Sequence, residues 1–189
     1  RRRVYQERLD FARNEIATVF APYINEQARV IDTATFYFKG HPQLELDNEV
    51  RPRGSISYMS GFEPDRITVL QGSWPGAANT AAGSDTPMDV AVDTLGLELL
   101  GLEIGQTMEV FPAASFTDPP SMTVRIAAEF ERVDPEDEFW FGVDSDFSLH
   151  NDRWTITPLF ATEAAVMDRV LGDDPILYTD VTWYYYLDR

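Results

Sequence analysis

The chain has no cysteine in 189 residues. Disulfides, thiol nucleophiles and cysteine-based zinc sites are thereby excluded. Such a chain is also at ease outside a cell, where a lone thiol is a liability. Histidine is nearly as scarce: only His41 and His150 are present, each isolated in a polar stretch, and neither is read as a catalytic base. No run reaches the roughly 18–20 apolar residues needed to cross a bilayer, and no signal peptide is visible. A Gly-x-Ser-x-Gly elbow and a Gly-x-x-x-x-Gly-Lys-Ser/Thr loop are both missing. That leaves an esterase reading without its nucleophile and removes ATP binding of the P-loop kind.

Positive charge is also in short supply. Lys and Arg number 15 against 32 Asp and Glu, a net charge of −17. A surface of that sign repels phosphate backbones and anionic headgroups, so no nucleic-acid partner is expected, while cationic partners are favoured. Arg1, Arg2, Arg3, Arg8 and Arg13 gather at the start. They read as a solvated helix start, or more sharply as a segment close to a headgroup layer. The abrupt Arg1-Arg2-Arg3 start and the aromatic end Trp183-Tyr184-Tyr185-Tyr186-Leu187 suggest a piece of a longer protein.

What is present is a sizeable core, with hydrophobic residues at 44% and aromatics at 13%. Val4 to about Ala28 reads as helix on the broken stripe of Val4, Leu9, Phe11, Ile16, Val19 and Phe20, with Pro22 ending or kinking it. Ala34–Lys39 reads as a strand, Ser55–Met59 as an edge strand and Arg66–Gly72 as a strand before the reversal Ser73-Trp74-Pro75-Gly76. Next comes a compact unit: a strand with Val90 and Val92 on one face, an N-cap at Asp93 or Thr94, a short helix packing Leu95, Leu99 and Leu100, closure at Gly101, and a turn at Gly105 into Gln106–Phe111. Met122–Arg132 alternates strictly, with Met122, Val124, Ile126, Ala128 and Phe130 on the inner face. Thr155–Phe160 and Thr162–Gly172 repeat the strand–cap–helix–glycine logic, and a last strand runs from Ile176 to about Leu187. No long internal repeat is visible. The class is α+β, a mixed and largely antiparallel sheet with short helices. It forms one unit over 1–189, or two lobes, 1–60 with 155–189 and 61–154.

The reactive candidates are carboxylates. Asp134, Glu136 and Asp137 crowd one loop and Asp144 and Asp146 follow, a set of oxygens that a calcium ion could use but with no EF-hand spacing. A solvated acidic loop is the plainer reading. No cofactor is implied. The tryptophans Trp74, Trp140, Trp154 and Trp183 sit beside apolar residues and read as core or interface rather than sugar platforms.

Val69-Leu70-Gln71-Gly72-Ser73-Trp74-Pro75 resembles the "v-x-x-G-x-x-P" step of MacB/FtsX-type ABC transporter permeases. Val90-Ala91-Val92 and the run Leu100-Gly101-Leu102-Glu103-Ile104-Gly105-Gln106-Thr107-Met108-Glu109-Val110 resemble the segment that follows it there. Val124–Phe130 and Asp134–Trp140 resemble the strand and the "d-p-x-d-x-x-W" run beyond, over a stretch of about 66 to 140. Ala128 or Glu129 replaces the family's usual glycine, and Gln106 its usual aspartate. The resemblance implies a MacB-like periplasmic core: a non-catalytic domain on the extracytoplasmic face of the cell membrane. It further implies a cytoplasmic ABC ATPase, a second permease copy, and a lipoprotein or peptide as substrate. Gly72, Trp74, Pro75, Gly101, Gly105 and Trp140 are then structural motif residues. The alternative is a secreted module binding a divalent cation or a carbohydrate.

Overall fold

Helix begins the chain and gives way at Pro22, whose missing N–H ends the ladder. The helical run comprises α1 (Arg2–Phe11), a π turn (Ala12–Ile16), α2 (Ala17–Phe20) and a 3₁₀ turn (Ala21–Tyr23). Its packing face is Tyr5, Leu9 and Ala12, whereas Val4, Phe11, Val19 and Phe20 are exposed. The apolar stripe expected from sequence is therefore half wrong, because an amphipathic Tyr and a small Ala do the packing. Helix was expected to reach Ala28; instead β1 (Ile24–Thr33) starts directly after the proline, claimed on both edges by strand partners. The computed structural model describes residues 2–39, 52–62, 65–76, 86–112, 121–140, 147–150, 155–170 and 179–187.

The remaining strands are β2 (Phe36–Lys39), β3 (Arg53–Met59), β4 (Ile67–Gly72), β5 (Met88–Asp93), β6 (Thr107–Pro112), β7 (Met122–Arg132), β8 (Leu149–His150), β9 (Thr155–Phe160) and β10 (Thr179–Leu187). Helix α3 (Thr94–Leu100) follows β5, and α4 (Glu163–Ala165) with its π turn Val166–Val170 follows β9. The class is the expected mixture of short helices with a largely antiparallel sheet, but the sheet is not open. β3 pairs with β2 on one edge and in parallel with β9 on the other. The ring β3–β2–β6–β7–β5–β9 therefore closes into a six-stranded barrel. Ser55–Met59, expected at an edge, is thus central.

The ring has an internal duplication that no sequence repeat betrays. In chain order β2, β3, β5 and α3 are followed by β6, β7, β9 and α4. Exchanging the two sets maps each pairing onto one of the same sense. The β2–β3 and β6–β7 pairs are antiparallel, the β3–β9 and β7–β5 pairs are parallel, and β2–β6 and β5–β9 map onto themselves. Asp93 and Thr162 cap the two equivalent helices, accepting from the N–H of Gly96 and Ala165. Beyond the ring the halves differ. β1 runs on into β2 and pairs with the far end of β3, while the corresponding place along β7 is filled by the separate strand β4.

Phe36, Ile56, Val90, Val110, Val124, Ile126 and Leu159 fill the interior, all but sealed from solvent. Leu100 of α3 joins them, but Leu95, expected to pack, is 45% exposed. In its place Gly96 lies so close to Ser148, Thr157 and Asp93 that a Cβ has no room. A second, aromatic core lies outside the ring, with Phe62 as hub touching Trp74, Phe130, Trp140, Phe147 and Phe160. Ala28 and Val30 of β1 and Tyr184 and Tyr186 of β10 join it, so the β1–β10 ribbon carries α1 on one face and the aromatic core on the other. Among the described residues no helix is long and apolar enough to cross a membrane.

Two predictions follow from this packing. Gly72 has φ 75 and a Cβ there would drive into the Ala127 carbonyl, whereas Gly105, at φ 85, has open space around it. Gly72→Ala is expected to cost about 3 kcal/mol and Gly105→Ala about 1 kcal/mol in urea denaturation. The second concerns Asp32, which faces Asp180 across the β1–β10 ladder. Burial pushes its carboxyl up, a hydrogen bond from Ser57 pulls it down, and Asp180 raises it further. A carboxyl held above its unfolded value favours folding while protonated, and loses that contribution as pH rises through its folded pKa. Asp180→Asn should therefore raise stability at neutral pH more than at pH 3, read as the difference between melts at the two pH values.

Candidate functional site

Where α1, β1, β3, β10 and α4 meet, the buried stretch Ala28–Ile31 of β1 carries one charged residue. Arg29 follows Ala28 and precedes Val30, so strand pairing buries it to 8% exposure. A charge so placed needs a partner. Glu163, first residue of α4, supplies it, its Oε2 lying 2.6 Å from Arg29 Nη2. Its Oε1 accepts from the Tyr5 hydroxyl at 2.7 Å, tying the first helix into the same knot. The guanidinium lies 5.4 Å from the Tyr58 ring centre and 5.9 Å from that of Tyr5, distances at which an aromatic face attracts a cation. Ser60 completes the setting, its Oγ accepting from the Arg29 N–H at 2.8 Å and its own N–H donating to the Arg29 carbonyl at 2.9 Å.

The cluster lies on an open cleft of about 380 Å³, which Leu9, Arg13, Arg66, Trp183 and Tyr185 also line. Arg66 pairs with Glu26 at 2.6 Å and lies 4.0 Å from the Phe139 ring centre. A second hollow of about 360 Å³ adjoins, sharing Tyr58, Ser60, Gly61 and Glu163 and continuing to Phe62, Trp74 and Pro75. Burial first, then the hydrogen bond and charge of Glu163 against the opposing pull of Arg29, push the Tyr5 hydroxyl well above the ordinary phenol range. Burial and then Glu163 raise Tyr58. Burial, followed by the charge of Glu26, pushes Tyr186 up to about 12. These phenols therefore stay protonated throughout the physiological range and do not serve as bases there.

Asp134 and Asp137, singled out from sequence, lie elsewhere and hold their own loop. Asp134 Oδ1 accepts from the Glu136 N–H at 3.0 Å and Asp137 Oδ1 from the Phe139 N–H at 2.9 Å. These carboxylates shape the turn that delivers Trp140, whose Nε1 donates to the Asp134 carbonyl at 2.8 Å. Among the described residues no group of three or more His, Asp or Glu is placed to hold a metal ion. Asp144, Asp146, His41 and Trp154 lie outside the described residues. His150 is exposed, with Nδ1 2.8 Å from Thr155 Oγ1, apart from the cleft. Gly101 closes α3 at φ 58 and Gly105 makes the turn into β6. Of the motif residues only Trp74 and Pro75 reach the paired hollows.

Sequence reading missed Arg29, Glu163, Tyr5 and Tyr58, which stand up to 158 positions apart. The one local signal was an arginine between Ala28 and the apolar pair Val30-Ile31, a pattern that asks for a buried partner without naming it. Comparison with protein-family models returns no match, and neither does comparison with curated proteins.

Glu163→Gln keeps the shape but leaves the Arg29 charge uncompensated. Because Glu163 is about a third exposed, the expected loss is about 2 kcal/mol, below the range for a fully buried pair. Tyr5→Phe should cost about 1 kcal/mol. The two are coupled through one carboxylate, so the double variant should lose less than the sum in chemical denaturation.

Proposed function

We propose that the chain is the extracytoplasmic domain of an ABC transporter permease of the MacB/FtsX type, a MacB-like periplasmic core on the outer face of the cell membrane. It does no chemistry. A cytoplasmic ATPase hydrolyses the nucleotide, a second permease copy pairs with the first through membrane helices, and this domain carries the resulting displacement to a lipoprotein or peptide. The observation that carries the reading is the fastening of the first helix. Tyr5 is hydrogen-bonded to Glu163, which is paired with Arg29 in the ribbon, and the Tyr185 hydroxyl donates to the Ala12 carbonyl at 3.2 Å. A displacement of the helix therefore reaches the barrel through short, part-buried contacts. Densely packed cores move as units rather than bend. The glycines of the resemblance fit the same role, since Gly72, Gly101 and Gly105 set the turns that the compact ring requires.

The test uses the full-length parent protein with its ATPase. The domain itself has no cysteine, so spin labels can be placed in it once any cysteines of the parent protein and the ATPase have been replaced. Labels at Glu98→Cys and Glu131→Cys should keep their separation when ATP binds, while labels on the domains of two copies should change theirs by several ångströms. Constant inter-copy distances, or a parent gene with no hydrophobic spans flanking the domain, would overturn the reading.

A further inference from the structure

The cleft beside Arg29 has more cationic donors than its acids use. Arg29 is paired with Glu163 and Arg66 with Glu26. Arg13, exposed on the helix at the cleft mouth, has no ion-pair partner among the described residues. Arg29, nine-tenths buried, also leaves its Nε donor without an acceptor, so its charge is not fully met by hydrogen bonds. In a chain of net charge −17, most of the surface repels anions. A cleft with three arginines against two carboxylates is where one can settle.

The adjoining hollow is less polar and has no arginine, although Ser60, Thr162 and Glu163 line it too. Past Tyr58 and Gly61 it is walled by Met59, Phe62, Trp74 and Phe160. The two volumes, about 380 Å³ and about 360 Å³, fall in the range of small-ligand sites. They present a positive end and an aromatic-walled end, with Tyr58, Ser60, Gly61 and Glu163, already paired with Arg29, lining both.

We propose that this trough is a binding site for an amphiphilic monocarboxylate, its carboxylate held by Arg13 with Arg29 behind it and its apolar part lying against Phe62 and Trp74. Two sources share that chemistry: a medium-chain fatty acid, and the C-terminal end of a peptide whose last side chain is apolar. The proposal stands on the cleft alone and is independent of the transporter reading, because it is tested on the 189-residue chain without membrane or ATPase.

Octanoate and N-acetylphenylalanine serve as probes, with octanamide and N-acetylphenylalaninamide as uncharged controls, in calorimetric titration and tryptophan fluorescence. At least one acid should bind saturably at a single site, about tenfold or more tighter than its amide. Arg13→Ala should weaken that acid about tenfold and Arg13→Lys less. Trp74→Ala should weaken acid and amide alike. Arg13 is exposed, so its replacement should leave the circular dichroism and melting temperature unchanged, separating lost binding from lost folding. Octanoate binding alone assigns the fatty-acid source, and N-acetylphenylalanine alone the peptide source. Binding of neither, equal affinity for acid and amide, or an acid affinity unmoved by Arg13→Ala overturns the proposal.

Discussion

The structure depends on one set of backbone hydrogen bonds, the parallel ladder from Arg53↔Ile156 to Ser57↔Phe160 that joins β3 to β9. Without it the strands form an open sheet; with it the six central strands close into a ring, and the remaining edges lie on the strands attached to it, β10, β8 and β4. Closure is demanding at Gly54, where an added Cβ would meet Phe38 at 2.8 Å and both Phe36 and the Thr157 carbonyl at 3.0 Å. That crowding lets the interior phenylalanines lie over the seam. The buried hydroxyl of Thr157, which has no hydrogen-bond partner, lies at the same place. A polar atom left unsatisfied there is tolerated because the closed ring around it is well packed.

Outside the ring, charge and aromatic stacking join the aliphatic packing of Leu9, Ile31, Val166 and Val170 in imposing order. The ribbon of β1 and β10 would be marginal alone, as any two-stranded hairpin is. It is held by the Arg29–Glu163–Tyr5 knot on one face and by the aromatic core on the other, where Tyr186 stacks on Phe139 with ring centres 5.4 Å apart and donates to its carbonyl. The transporter reading and the binding-site reading meet in this region. A ligand seated beside Arg29 would bear on the contacts that fasten the first helix.

Much of the barrel was legible, and the reason is periodicity. Met122–Ile126 alternates because one face is interior, but a bulge at Ala127 turns Ala128 and Phe130, expected on that same face, toward the aromatic core outside the ring. A cap at Asp93 or Thr94 and one at Thr162 were legible because short polar side chains before an apolar helix have few other uses, and the structure uses Asp93 and Thr162. β1 was not legible, because Ile24–Thr33 mixes Asn, Glu, Gln and Arg with apolar residues; its neighbours on both edges, not its own pattern, make it a strand. Closure was not legible either, since Ser55–Met59 looks the same at an edge and in a ring. The cleft was the least legible part. Its residues come from at least five separate segments, from Leu9 to Tyr185, and Glu163 looked like an ordinary first-turn acid. The acidic loop drew notice for its composition, but Asp134 and Asp137 turned out to accept hydrogen bonds from their own loop.

The continuity of β1 with β2, against the separate insertion of β4 in the other half, gives the barrel a mechanical polarity. Tension along the ribbon enters one half through the covalent chain, across Ala34 and Thr35, and loads the flanking ladders in shear, their stiff direction. The duplicate half receives the same load only sideways, through the β2–β6 and β5–β9 seams. A topology nearly symmetric at rest is therefore directional under strain, with the β1–β2 side rigid and the β4–β7 side the first to yield.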